Sequence, residues 1–283
     1  MSGKLIKLKY KIKATTKTKK ITKALELIAA SKMRSFQEKA IASKKFEIEL
    51  LTTAQENFDI DFENIYSEQR EEGKILFVLY TSDKGFCGPL NSKLITSMIK
   101  SQEWIQNESE NKLLVTIGKK GYDFARNNKI SVIKSFQEID ENISIPNLVN
   151  IIDEILSVWD QKIIKEIYIV SPQFKNTFTY YPRVEKFLPI DFENKEVLNV
   201  NSLFEPSSQD FLDSIFLKII FSKFFKSFME LKATEYSARM IAMQSSTKSA
   251  SEIIKKLTLK YNKNRQEAIT NEIAEILGNK FNE

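Results

Sequence analysis

Between Gly3 and Gly73 this chain of 283 residues has no glycine and no proline, and between Pro206 and Gly278 it again has neither. All six prolines lie between positions 89 and 206. Proline removes a helix hydrogen bond and glycine weakens a helix interior, so both ends are composed for long helices and the middle for strands and turns. The expected division is a helical segment at 1–72, an α/β domain at 73–206 and a second helical segment at 207–283.

In the first segment apolar or small residues recur at Ile21, Leu25, Ile28, Ala29, Met33, Phe36 and Ala40, in steps of three and four. That is coiled-coil spacing. The last segment begins with Phe211, Ile215 and Ile219, passes the small residues Ala238, Ala242, Ser245 and Ser249, and ends with Ile269, Ile273 and Ile276. Gly278 stands where a C-cap glycine is expected. Helices of roughly 50 and 70 residues run about 75 and 100 Å at about 1.5 Å per residue, and a helix that long needs a partner along its length. With one at each end of the chain, the economical pairing is antiparallel, and the C-terminal helix should project past the N-terminal one.

The middle alternates strand-like runs, "KILFVLYTSD", "NKLLVTIG", "ISVI", "EIYIVSP" and "YPRVEKFLPI", with amphipathic stretches such as "PLNSKLITSMIKSQEWIQN" and "IPNLVNIIDEILSVWDQKI". That order predicts a Rossmann-like, mostly parallel sheet inserted into the coiled coil.

Chemistry is constrained by what is missing. There is no histidine and only one cysteine, Cys87, which excludes an intramolecular disulfide, a multi-cysteine metal site and the commonest general base. No apolar run is long enough to span a bilayer, and the basic N-terminus lacks the apolar core of a secretory signal. Residues 1–45 hold fourteen Lys or Arg against Glu26 and Glu38, while the whole chain is only +6. Such an arm suits a nucleic acid, an anionic lipid surface or an acidic protein, or it is simply a solvated helix face.

Three stretches invite a functional reading. "TSDKGFCGPLN" (81–91) follows a buried strand and holds Cys87 beside Lys84, but a cysteine nucleophile needs a base and no histidine supplies one. "TIGKKGYDFAR" (116–126) resembles a phosphate cradle, yet lacks the third glycine of a dinucleotide fingerprint and the Lys-Ser/Thr ending of a P-loop. A tight strand-to-helix turn is the plainer reading. In "LTLKYNKNRQEAITNEIAEILG" (257–278), Lys263, Arg265, Gln266 and Thr270 form a polar patch on the segment expected to project.

"KKITKALELIAASKMRSFQ" (19–37), the 81–91 loop and "EYSARMIAMQSSTKSASEIIKKLTLKYNKNRQEAITNEIAEILG" (235–278) together resemble the gamma subunit of bacterial F-type ATP synthases, in order and over essentially the full chain. The resemblance implies a rotor shaft, with the coiled coil inside an alpha/beta hexamer and the α/β domain near epsilon and the membrane c-ring. The shaft would couple proton-driven rotation to ATP synthesis or hydrolysis at sites on other subunits. It implies no cofactor, no catalytic or metal residue in this chain, no nucleic acid, and a peripheral place on the cytoplasmic face of the plasma membrane. By resemblance, Arg265, Gln266 and Thr270 contact the beta subunit's catch region, Lys23 and Leu25 face beta loops, and Lys84 and Cys87 belong to a loop against a beta subunit's lever. The chain departs from the family at Leu25 (usually Met), Glu267 (usually small), Ser249 (usually Asn) and Pro89 (usually Gly). Competing expectations are a basic coiled coil that binds nucleic acid or scaffolds other proteins, and an enzyme using the middle domain.

Overall fold

The computed structural model describes residues 3–57, 64–191 and 208–280. Contacts divide the chain into two compact units, Met1–Ala30 with Arg239–Glu283, and Ser31–Ala238. Two helices contribute to both units: α1 (Gly3–Asn57, 55 residues) and α6 (Ser208–Lys280, 73 residues).

In the first unit α1 and α6 pair antiparallel. Thr22 and Thr247 share a hydrogen bond of 2.8 Å, and Ala14 and Thr18 face the same groove as Ile253 and Ser249. The seam runs through Leu5, Leu8, Thr22 and Ala29 on α1 and through Met243 and Ala250 on α6. It is not the seam expected from hydrophobicity. Ile21, Leu25 and Ile28 are 60, 37 and 53 % exposed, and Ser245 and Ser249 are exposed as well. The heptad spacing is real and Ala29 is buried as expected, but Thr22 takes the seam place expected of Ile21. Threonine and alanine let the two backbones approach closely, and each threonine hydroxyl meets a partner, so the polar seam carries little desolvation cost. The larger apolar residues form a second stripe facing outward. α6 also continues through Gly278 to Lys280, so that glycine lies within the helix rather than capping it.

The second unit is built on a five-stranded sheet: β1 (Lys74–Tyr80), β2 (Lys112–Ile117), β3 (Val132–Phe136), β4 (Ile164–Asn176) and β5 (Thr179–Leu188), in the order β3-β2-β1-β4-β5. β1 pairs in parallel with β2 and β4, β2 in parallel with β3, and only β5 is antiparallel. The central strand is buried on both faces, hence its unbroken apolar run. The helix expected from 89 onward breaks into α2 (Leu90–Lys100) and the single turn α3 (Gln102–Ile105), because the Ser101 side chain accepts the Trp104 N–H and starts a new turn. After α4 (Lys119–Asn127), α5 (Ile145–Asp160) starts with Ser144 as N-cap and Pro146 in its first turn. It buries Leu148, Ile151, Ile152, Ile155, Leu156 and Trp159 at helical spacing. Trp159 donates its indole N–H to the Ile65 carbonyl at 2.9 Å, and Arg70 stacks 3.8 Å above its ring.

Within this unit every residue of α6 from Lys226 to Ser237 is buried, since the helix lies among α1, the sheet and its loops. The α1 positions expected to face a partner here, Met33, Phe36 and Ala40, are buried too. The Tyr80 hydroxyl donates to the Phe224 carbonyl, and Lys226 pairs with Glu47 of α1 at 2.6 Å with both side chains nearly inaccessible. Phe36 of α1 stacks on Tyr236 of α6 at 5.6 Å. Glu141, in the loop before α5, accepts from both Lys32 and Tyr236, and Ser237 donates to the Thr177 carbonyl in the β4–β5 turn. Two loops of the sheet thus hold the helix pair.

Candidate functional site

The 81–91 loop is cross-linked by its own hydrogen bonds. The Asn91 side chain accepts the Ser82 N–H at 3.0 Å and donates to the Ser82 hydroxyl at 2.8 Å and to the Cys87 sulfur at 3.4 Å. Cys87 is 2 % exposed, and its sulfur also lies 3.5 Å from the Ser82 hydroxyl. The Cys87 side chain faces the interior. What the loop presents outward is Lys84 and Phe86, the latter 76 % exposed and held at φ 63°. The β4–β5 hairpin lies alongside: burial, and then the charge of a Cys87 thiolate, push the Tyr180 phenol up, and Lys93 sits over the Tyr180 ring at 5.2 Å.

The phosphate-cradle reading of 116–126 is answered by its own hydrogen bonds. At the start of α4, the Lys119 N–H donates to the Asp83 carboxylate, the Lys120 N–H to the Ser82 carbonyl and the Gly121 N–H to the Thr81 hydroxyl. These are the groups that would hold an anion. A Cβ at Gly118 would meet the Thr81 carbonyl oxygen at 2.1 Å, so this glycine is there for close packing between the ends of β1 and β2. Asp83 also accepts the Glu138 N–H at 3.1 Å and joins three strand ends. Asp83, Asn91 and Glu141 were not singled out by sequence. "TSD" after a strand was a usable cue for Asp83, whereas Glu141 and Lys32 lie 109 residues apart and carry no local signal.

Among the described residues of the first unit, Arg265, Gln266 and Thr270 are all exposed. Carrying the Thr22–Thr247 register along at equal rise places Gly3 opposite about residue 266. Beyond that point no described residue of α1 stands beside α6. Glu267, 60 % exposed, comes within 4.0 Å of Lys263 on its own helix. Lys23 pairs with Glu26 at 2.8 Å, and Leu25 belongs to the outward stripe with Ile21 and Ile28. The structure thus leaves Lys23 and Leu25 exposed on different faces of α1, Arg265 and Gln266 exposed about level with the start of α1 and Thr270 past it, and the Lys84 loop in the second unit. No group of three or more potential metal-ligating side chains occurs among the described residues, and none of their helices is long and apolar enough to cross a membrane.

The sequence profile of a family described as ATP synthase matches residues 4–279. An ATP synthase gamma chain of Desulfitobacterium hafniense is 34 % identical over 275 residues, covering 96 % of each chain. That of Legionella pneumophila is 34 % identical over 278 residues, again covering 96 % of each. Among solved structures, a chain of the Euglena gracilis mitochondrial ATP synthase (OSCP/F1/c-ring) superposes with a TM-score of 0.71 at 17 % identity, covering 98 % of this chain and 93 % of that one. A chain of the Tetrahymena thermophila mitochondrial ATP synthase central stalk and c-ring superposes with a TM-score of 0.62 at 21 % identity, covering 80 % and 98 %. Helix pair, inserted sheet and sequence agree along nearly the whole length, and the chain belongs to the ATP synthase gamma chain family.

Proposed function

We infer that this chain is the central rotor shaft of an F-type ATP synthase, coupling ion-driven rotation to ATP synthesis or hydrolysis. The observation that carries this is 34 % identity over 96 % of the chain to gamma chains, in a molecule whose two long helices pair antiparallel. The relatives do not favour a nucleic-acid-binding role. The shaft comprises residues 1–72 and 207–283 and the foot residues 73–206, with alpha and beta subunits around the former and epsilon and the c-ring beside the latter. The assembly sits on the cytoplasmic face of the plasma membrane, and this chain holds no catalytic residue of its own.

A shaft must be stiff and must not stick at one angle. Paired helices supply stiffness, and long-range attraction between a lysine-rich surface and acidic beta loops depends little on angle. In this reading Lys23 and the Leu25 stripe face those loops, Arg265, Gln266 and Thr270 meet the beta catch, and Lys84 with Phe86 carries the contact assigned to the Cys87 loop. The test is proton pumping per ATP hydrolysed in a reconstituted complex. Leu25→Lys, which adds a cation favouring some rotor angles over others, lowers the ratio below that of Leu25→Met, and equal ratios would overturn the Leu25 contact. Gln266→Leu slows turnover or weakens assembly, and an unchanged ATPase rate would remove it from the catch.

A further inference from the structure

A groove of about 370 Å³ runs along the second unit between α1 and β4. Its apolar wall is Ile41 and Ile48 of α1, about half exposed, with Phe174 of β4 opposite. Lys44, Lys45 and Lys175 stand exposed at its rim. The acid among its lining residues is Glu230, 7 % exposed in the floor, where Lys226 and Glu47 from the helix pair, Lys44 from the rim and Arg183 from β5 face it. Three cations on one rim stand out against a unit in which acids outnumber bases, 31 to 26.

We propose that this groove docks an acidic amphipathic helix of a partner chain. Ile41 and Ile48 lie seven residues apart, two helical turns, about 10 Å along α1, with Lys44 and Lys45 between them. A partner helix with apolar side chains at i, i+3/i+4 and i+7 seats between Ile41, Ile48 and Phe174, and its flanking carboxylates meet the three lysines. The rim gives steering and orientation, and the apolar wall gives the buried contact. The assignment does not use the C-terminal part of α6, so a silent Gln266→Leu leaves it standing.

The experiment places the photoreactive residue p-benzoylphenylalanine at Ile41 or Ile48 in the assembled ATP synthase, irradiates it and identifies the adduct peptides by mass spectrometry. Both positions should capture the same segment, acidic and with apolar residues at helical spacing. The double variant Lys44→Glu, Lys45→Glu should cut that capture about tenfold, as expected for reversing two rim charges. Its thermal midpoint should fall only slightly, because both side chains are exposed and Lys44 acts on Glu230 from the rim. No adduct, adducts on lipid or nucleic acid, capture of a basic segment, or capture indifferent to the charge reversal would each overturn the proposal.

Discussion

Residues 1–30 and 239–283 carry 17 Lys and Arg against 6 Asp and Glu, while residues 31–238 carry 26 against 31. The interiors differ as much as the surfaces. The first unit buries Leu5, Leu8, Thr22, Ala29, Met243 and Ala250, a narrow seam without an aromatic ring. The second buries Trp159, Tyr80, Phe77, Phe187, Phe216, Phe224 and Phe228 completely or nearly so. Burial of apolar area scales the stabilisation at about 25 cal/mol per Å², so the second unit holds the larger share of the fold's stability. The first has a basic surface and an outward apolar stripe, and is held by helix pairing rather than by a core. A surface of that kind is suited to being enclosed by other chains.

The widest gap between the two interiors is expected at Trp159. Trp159→Ala should cost about 3–5 kcal/mol in urea unfolding, by cavity formation and loss of the Arg70 stack. Leu5→Ala, at a seam that can close around it, should cost about 2 kcal/mol or less. Equal losses would mean that the seam is a core in its own right. The next effect is Lys226→Met, which leaves Glu47 buried without its cation and should cost about 3 kcal/mol. The double change Glu47→Leu, Lys226→Met should recover most of it, and failure to recover would show that the pair fixes the packing of α1 on α6.

A pH titration separates the two units further. Burial, opposed by Lys226, Arg183 and Lys44, pushes the Glu230 carboxyl from 4.5 up to about 7. The folded chain therefore binds this proton more tightly than the unfolded chain does. The resulting stabilisation is whole below about pH 4.5 and is lost as pH rises through about 7, on the order of 2–3 kcal/mol. Glu230→Gln should flatten that slope, and a slope unchanged by the substitution would assign it to other groups. The smallest effect belongs to the first unit. Replacing Thr22 and Thr247 together by valine removes both partners of one hydrogen bond and should change stability by no more than about 1 kcal/mol. A loss much larger than that would show the hydroxyl pair to be a register pin.

Much of this was legible in the chain because helix breakers act locally. Their positions marked the two long helices, and alternating apolar runs marked every strand of the sheet, with β3 shifted two residues later than "ISVI" suggested. The seam register was legible only in part. Ala29, Met33, Phe36 and Ala40 are buried as their spacing suggests, but hydrophobicity favours Ile21, Leu25 and Ile28 where close approach of two helices favours Thr22, and only the partner helix decides between them. For the same reason the burial of Cys87 within its loop was not legible: the Ser82–Asn91 pair that draws its sulfur inward is formed by the folded loop. The exposed end of α6 was legible as a consequence of unequal helix lengths, but Glu141, which ties Lys32 and Tyr236 together, depends on contacts distant in sequence.

Cys87 also gives the molecule a native clock. It is the chain's single thiol, and it is shut beneath a loop held by Asn91 and Ser82. An alkylating reagent reaches it only when that loop opens, so the ratio of its labelling rate to that of a free thiol measures the free energy of local opening. Because no other sulfhydryl in the chain competes, the same measurement can be made on the isolated chain and inside the full assembly. Any slowing between the two reports whether neighbouring subunits hold the loop and how strongly, without altering a residue.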